Sequence, residues 1–193
     1  MGTATETRQK AARLPEGDVV RLLLEQHARI RELFDEVKSA TGERKQERFD
    51  ELRALLAVHE TAEEMVVRPM TSVSGAKEVA DARNAEEADA NKSLKTLEGM
   101  DVADPDFDPL FEAFEEDVLH HAEAEEAEEF PVLLEAYNEE ARRMMGLQVR
   151  AAEKVAPTHP HPSAAGSTAA QYVLGPFASI RDRAMDAIKA VTK

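Results

Sequence analysis

The chain of 193 residues carries 24 basic against 39 acidic side chains, a formal net charge of −15, so it offers no basic stripe for nucleic acid and nothing to attract an anionic membrane surface. It has no cysteine, which excludes disulfides, thiolate zinc sites and iron–sulfur ligation and leaves His and carboxylate as its metal ligands. Hydrophobic residues make up 42% and aromatics only 5%, a balance that permits a sizeable core and favours helices over sheet.

The opening residues, MGTATETRQKAARLPEGD, contain no apolar signal-peptide segment, and Glu6 stands where a myristoylation pattern needs Ser or Thr. Residues 1–16 therefore read as a flexible N-terminal tail, and with no run of transmembrane length the expected location is cytoplasmic. From Asp18, a suitable N-cap, Val20, Leu23, His27, Ile30 and Phe34 fall three or four apart on one helical face, and Thr41-Gly42 ends this first helix. A second helix shows Phe49, Leu52, Leu56, His59, Glu63 and Val66 and ends near Pro69-Met70, with a loop expected at 71–75. A third, more polar helix spans about 76–100, with Val79, Ala80, Ala90, Leu94 and Leu97 inward. The loop DVADPDFDP leads to a fourth, starting near Asp108 or Pro109 and carrying Phe111, Phe114, Val118, His121 and Glu125. That helix is expected to continue past Pro131, kinked, to the end of the domain at 155. Residues 156–193 read as a Pro-rich linker, APTHPHPSAAG, and a C-terminal helix with Ile180, Met185, Ile188 and Val191 that could dock on the rest. The class predicted is all-α: an antiparallel up-down-up-down four-helix bundle over 17–155 with a C-terminal helical extension.

Two stretches repeat each other: HETAEEMVVRP at 59–69 and HAEAEEAEEFP at 121–131. In each, His and Glu stand at i and i+4, one above the other on one helix face. His59-Glu63 and His121-Glu125 both continue an apolar stripe, and an uncompensated carboxylate in a core costs several kcal/mol (roughly) or becomes neutral. Cations supply the compensation, since a carboxylate can span two ions while imidazoles cap them. His27, among Leu23, Leu24, Ile30 and Phe34, is a third candidate ligand; a lone core His is more often bonded to a carbonyl, but two His-Glu pairs shift the balance. His120 lies about 100° around the helix from His121. Glu64 and Glu126 are expected on the flanks, Tyr137 beyond the kink, His159 and His161 in linker, and Met65, Met70, Met144 and Met145 as core filling.

The order His27, His59-x-x-x-Glu63, His121-x-x-x-Glu125, with Pro after each pair, resembles the hemerythrin-like (HHE cation-binding) family over about residues 18–140. The resemblance implies a four-helix bundle around two non-haem iron ions, oxo- or hydroxo-bridged, with Glu63 and Glu125 spanning them and His27, His59 and His121 as imidazole ligands. The family's helix-three histidine falls at Glu87, with Glu86 and Asp89 as alternatives, because this helix has no histidine. A ligating Glu87 makes the set more anionic, which favours ferric iron and redox chemistry over reversible oxygen carriage.

Three functions follow for comparison. The first is a redox protein reacting with dioxygen, peroxide or nitric oxide, as a peroxidase or oxidase drawing on an unnamed electron donor. The second is a module that binds or senses oxygen or nitric oxide without turnover. The third is a structural bundle or iron store, which two pairs on apolar stripes make the weakest reading.

Overall fold

A computed structural model describes residues 2–155 and 174–191; among them helix prevails and no strand occurs. Residues expected as a mobile tail instead contain α1 (Ala4–Ala11). Its start is a capping box: Thr3 Oγ1 accepts from the Glu6 backbone N–H at 3.2 Å, and the Glu6 carboxylate accepts from Thr3 N–H at 2.8 Å. Thr7 and Ala11 are buried against α2 (Val19–Ser39), and Arg8 and Lys10 pair with Glu32 and Glu126.

α2 (Val19–Ser39) begins where the Asp18 carboxylate accepts from Val20 N–H at 3.0 Å. It is buried on more than one face, because α1 and a later helix, α8 (Glu139–Val155), pack on it as well as α3 (Gly42–Ala62). Gly42, at φ 58°, turns the chain into α3 (Gly42–Ala62), where a side chain would strain the left-handed backbone. Gln26 meets His59, Arg29 meets Glu51 and Glu36 meets Arg48, so α2 and α3 run antiparallel. α5 (Lys77–Glu98) and α6 (Phe107–Ala124) do the same, with Glu86 on His121 and Arg83 reaching Glu128 beyond the end of α6.

Both repeated stretches fold alike. α3 passes into a π turn, Glu63–Val67, and on into α4 (Arg68–Val73); α6 passes into a second π turn, Glu125–Glu129, and on into α7 (Phe130–Ala136). Each π turn closes with a five-residue bond, Arg68 N–H to Glu63 O and Phe130 N–H to Glu125 O. Pro69 and Pro131 then fall in the first turn of a fresh α segment, where a missing N–H costs least. Residues 71–73, expected as loop, therefore stay helical.

The fourth helix does not run on to 155. It stops at Ala136; Tyr137 is extended (φ −121°, ψ 135°), and the Asn138 side chain accepts from Ala141 N–H at 2.9 Å as a new helix, α8 (Glu139–Val155), begins. α9 (Leu174–Val191) packs on α3 and α8 with Ala184 and Ile188 buried. The Pro-rich linker, with His159 and His161, lies outside the described residues.

Two apolar clusters fill the interior. One holds Phe34, Phe49, Phe107, Phe111 and Phe114; the other holds Leu23, Val66, Phe130, Val149 and Ile188. Between them, where Leu24 belongs to one cluster and Ile30 to the other, sits His27 and the polar layer around it.

Candidate metal centre

His27 from α2, His59 from α3, and Glu63 and Glu125 from the two π turns are all buried, and one donor atom from each lies within 4.8 Å of the others. His27 Nε2 is 3.2 Å from Glu125 Oε2, and His59 Nε2 is 3.3 Å from Glu63 Oε1. His27 Nε2, Glu63 Oε1 and Glu125 Oε2 are buried without a hydrogen-bond partner. One imidazole nitrogen and two carboxylate oxygens left in this way, with His59 Nε2 beside them, suit a cation, which would satisfy all of them at once.

All three histidines are held from behind. His27 Nδ1 lies 3.2 Å from Glu126 Oε1, His59 Nδ1 2.8 Å from Gln26 Oε1, and His121 Nδ1 2.9 Å from Glu86 Oε2. Each outer nitrogen thus donates to an oxygen and Nε2 is turned inward, an arrangement that fixes the ring of a metal-ligating histidine. The His27 ring also stacks on Phe130, 5.5 Å between centroids and 20° between planes.

His121 and Glu87 face the same carboxylates from the other side. His121 Nε2 is 3.0 Å from Glu125 Oε1, and Glu87, buried on α5, has an Oε2 without a hydrogen bond, 4.0 Å from Arg68 Nη2. Arg68, which sequence patterning does not single out, lies among them: Nη2 reaches Glu125, Glu63, His121 and Glu87, while Nη1 bonds Glu129. Glu129, also buried, accepts from Thr71 Oγ1 at 2.7 Å.

Burial and the neighbouring Glu125 charge hold the Glu63 carboxyl well above its usual range, and burial and Glu64 push Glu87 up to about 7. His59 is held well below its usual value by burial and by His27. Burial opposes charge on His121, but Glu125 and Glu86 overcome it and raise the imidazole to about 9. Glu125 stays well below the carboxylate range because His121, His27 and Arg68 outweigh its burial. Opposed shifts of this kind cluster at functional sites.

The remaining candidates separate cleanly. Glu86 orients His121, Asp89 is exposed and paired with Lys92, and His120 is exposed. Glu126, expected on the flank, is turned onto His27. The Tyr137 hydroxyl donates to Met70 O at 2.9 Å and accepts from Ser74 Oγ. Met145 is buried and Met65 and Met70 pack against the core, but Met144 is half exposed.

The family model of the hemerythrin HHE cation binding domain matches residues 18–133, and the chain belongs to that family. An uncharacterized hemerythrin-like protein of Schizosaccharomyces pombe is 28% identical over 171 residues, covering 85% of this chain and 83% of that protein. The fold is shared with a crystal structure of a hemerythrin HHE cation binding domain-containing protein from Mycobacterium kansasii, at a TM-score of 0.66 and 20% identity over 90% of this chain and 98% of that one. Family and donor cluster together define a metal-binding, hemerythrin-like protein.

Proposed function

We propose that the chain is a non-haem iron protein that reacts with dioxygen, peroxide or nitric oxide in a redox or detoxifying role. The observation that carries this reading is the group of buried, partnerless donor atoms on His27, Glu63 and Glu125, converging with His59 within 4.8 Å. In its two-iron form, His27, His59, His121, Glu63, Glu87 and Glu125 would hold the ions. Iron bound there supplies an electron source and a Lewis acid next to the small ligand. The protein's own part is to orient and exclude. Glu126, Gln26 and Glu86 fix the three imidazoles, and the two apolar clusters keep bulk water away above and below.

Entry for a small ligand is provided by a cleft of about 770 Å³ between the α3–α4 segment and α5, with Arg68 and Glu87 in its wall. The test is anaerobic loading with ferrous iron, metal analysis, and optical spectra under air and after reduction, with peroxide consumption followed in parallel. Retained iron with peroxide turnover is expected, and His59→Ala should lose the iron. A reversible oxygenated spectrum without turnover would favour the binding or sensing alternative. A chain that retains no iron would overturn the proposal.

A further inference from the structure

Once His27, His59, Glu63 Oε1 and Glu125 Oε2 are assigned to one ion, four inward atoms remain: Glu63 Oε2, Glu125 Oε1, His121 Nε2 and Glu87 Oε2. Arg68 Nη2 stands 3.4, 2.5, 3.3 and 4.0 Å from them, respectively. A guanidinium nitrogen therefore sits among the atoms that would hold a second ion. We propose that Arg68 and the second metal ion are alternative occupants of one position: the resting centre holds a single ion beside the Arg68 guanidinium, and a second ion enters only when that side chain leaves. This rests on the metal reading above and deepens it.

The charge requirement supports it. Glu63, Glu87, Glu125 and Glu129 are buried together, and a buried carboxylate needs a cation close by. An ion at the first position touches one oxygen each of Glu63 and Glu125, which leaves Glu87, Glu129 and the two other oxygens to be served. Arg68 does this with a charge that no accessible pH removes. Its Nη1 is anchored on Glu129, which is itself fixed by Thr71.

A way out also exists. Arg68 lines the cleft between the α3–α4 segment and α5, where Ser72, Asn84 and Asn91 offer polar surface for a displaced guanidinium. Its Nε is buried without a partner in the inward pose, so that pose leaves one donor unsatisfied. The repeat sharpens the point, because the corresponding residue of the second copy is Phe130, which packs on His27 and carries no charge.

The experiment is anaerobic calorimetric titration of the full chain with ferrous iron, and separately with manganese, with the bound metal counted after desalting. For the wild type, one ion should bind tightly and a second at least roughly 100-fold more weakly; in Arg68→Gln the second should approach the first to within about tenfold, with the first unchanged. Arg68→Lys, which keeps a cation, should retain the weak second step. Should Arg68→Gln fail to fold, Glu129→Gln removes only the anchor on Nη1 and should tighten the second ion several-fold. Two ions of matched affinity in the wild type, or a second step unmoved by both Arg68→Gln and Glu129→Gln, overturns the proposal. A wild-type chain that takes no ion overturns the functional reading as well, and the missing first step distinguishes that failure.

Discussion

Glu87 stands where the family resemblance places a histidine, and its burial takes it off the polar face of α5, as a donor to the proposed centre requires. Glu87→Gln keeps the volume and removes the anionic donor. It should weaken a second ion at least roughly tenfold and leave the first unchanged, as read by titration. If neither step moves, Glu87 is no ligand. His27→Ala should do the reverse and abolish the tight step, because it removes an imidazole that nothing else replaces. His27, His59, Glu63, His121 and Glu125 were legible in the sequence because each continues an apolar stripe at α-helical spacing. Arg68 was not, and the reason is geometric. Five residues of α-helix rotate through about 500°, roughly 140° past a full turn, which puts Arg68 off the Glu63 stripe. A π turn closes on five residues and brings it back over Glu63. Gln26, Glu126 and Glu86 were equally hidden as partners, since their hydrogen bonds cross between helices whose register no spacing within one helix reveals.

At the scale of elements, the main helices followed from periodicity, while α1 and the α7–α8 break followed from local chemistry that periodicity passes over. Thr3-x-x-Glu6 is a capping box, and Asn138 is an N-cap; both signals were present, but a polar start and a long amphipathic run outweighed them. The seating of α8 depends on Gly146, where an added Cβ would fall 2.0 Å from the Gly17 carbonyl oxygen in the turn that starts α2. Backbone cannot yield as a flexible side chain does. Gly146→Ala should therefore cost about 1–3 kcal/mol in chemical denaturation, despite the better helix propensity of Ala. An unchanged midpoint would show that α8 is not held this closely. The tether of α1 gives a pH signature. Glu126 is held down to about 2, against an ordinary 4.5, by hydrogen bonds from His27 and Lys10 that outweigh its burial. Because the folded state favours its charged form, its stabilisation is complete above about pH 4.5 and disappears as the pH falls toward 2. Glu126→Gln should flatten the acid-unfolding curve in that window, and superimposable curves would remove Glu126 from the account.

For the molecule as a whole, metal and fold are linked through the same buried charges. In the metal-free chain His121 has its pKa raised from 6.5 to about 9, so between those values the folded state keeps a proton that the unfolded chain has given up. Glu63 and Glu87, also raised, act in the same direction, whereas the opposing effect of His59 ends near 6.5, where the unfolded imidazole is already neutral. The folded state then binds more protons than the unfolded one, and stability must fall as pH rises, by up to about 1.4 kcal/mol per pH unit for each proton held. Metal bound to these groups removes that slope, because ligands bind it in their deprotonated forms, which is also how the unfolded chain carries them above about pH 6.5. Ferrous ion at about 100 times its dissociation constant should add about 2.7 kcal/mol, and that increment should grow with pH. Anaerobic thermal unfolding from about pH 6.5 to 9 therefore yields a stability that falls with pH without iron and stays nearly level with ferrous iron in excess over both binding steps. His121→Gln should flatten the metal-free slope. Parallel slopes with and without metal would mean that the buried carboxylates and imidazoles pair only with one another and with Arg68, and that the cluster is a structural network and not a metal centre.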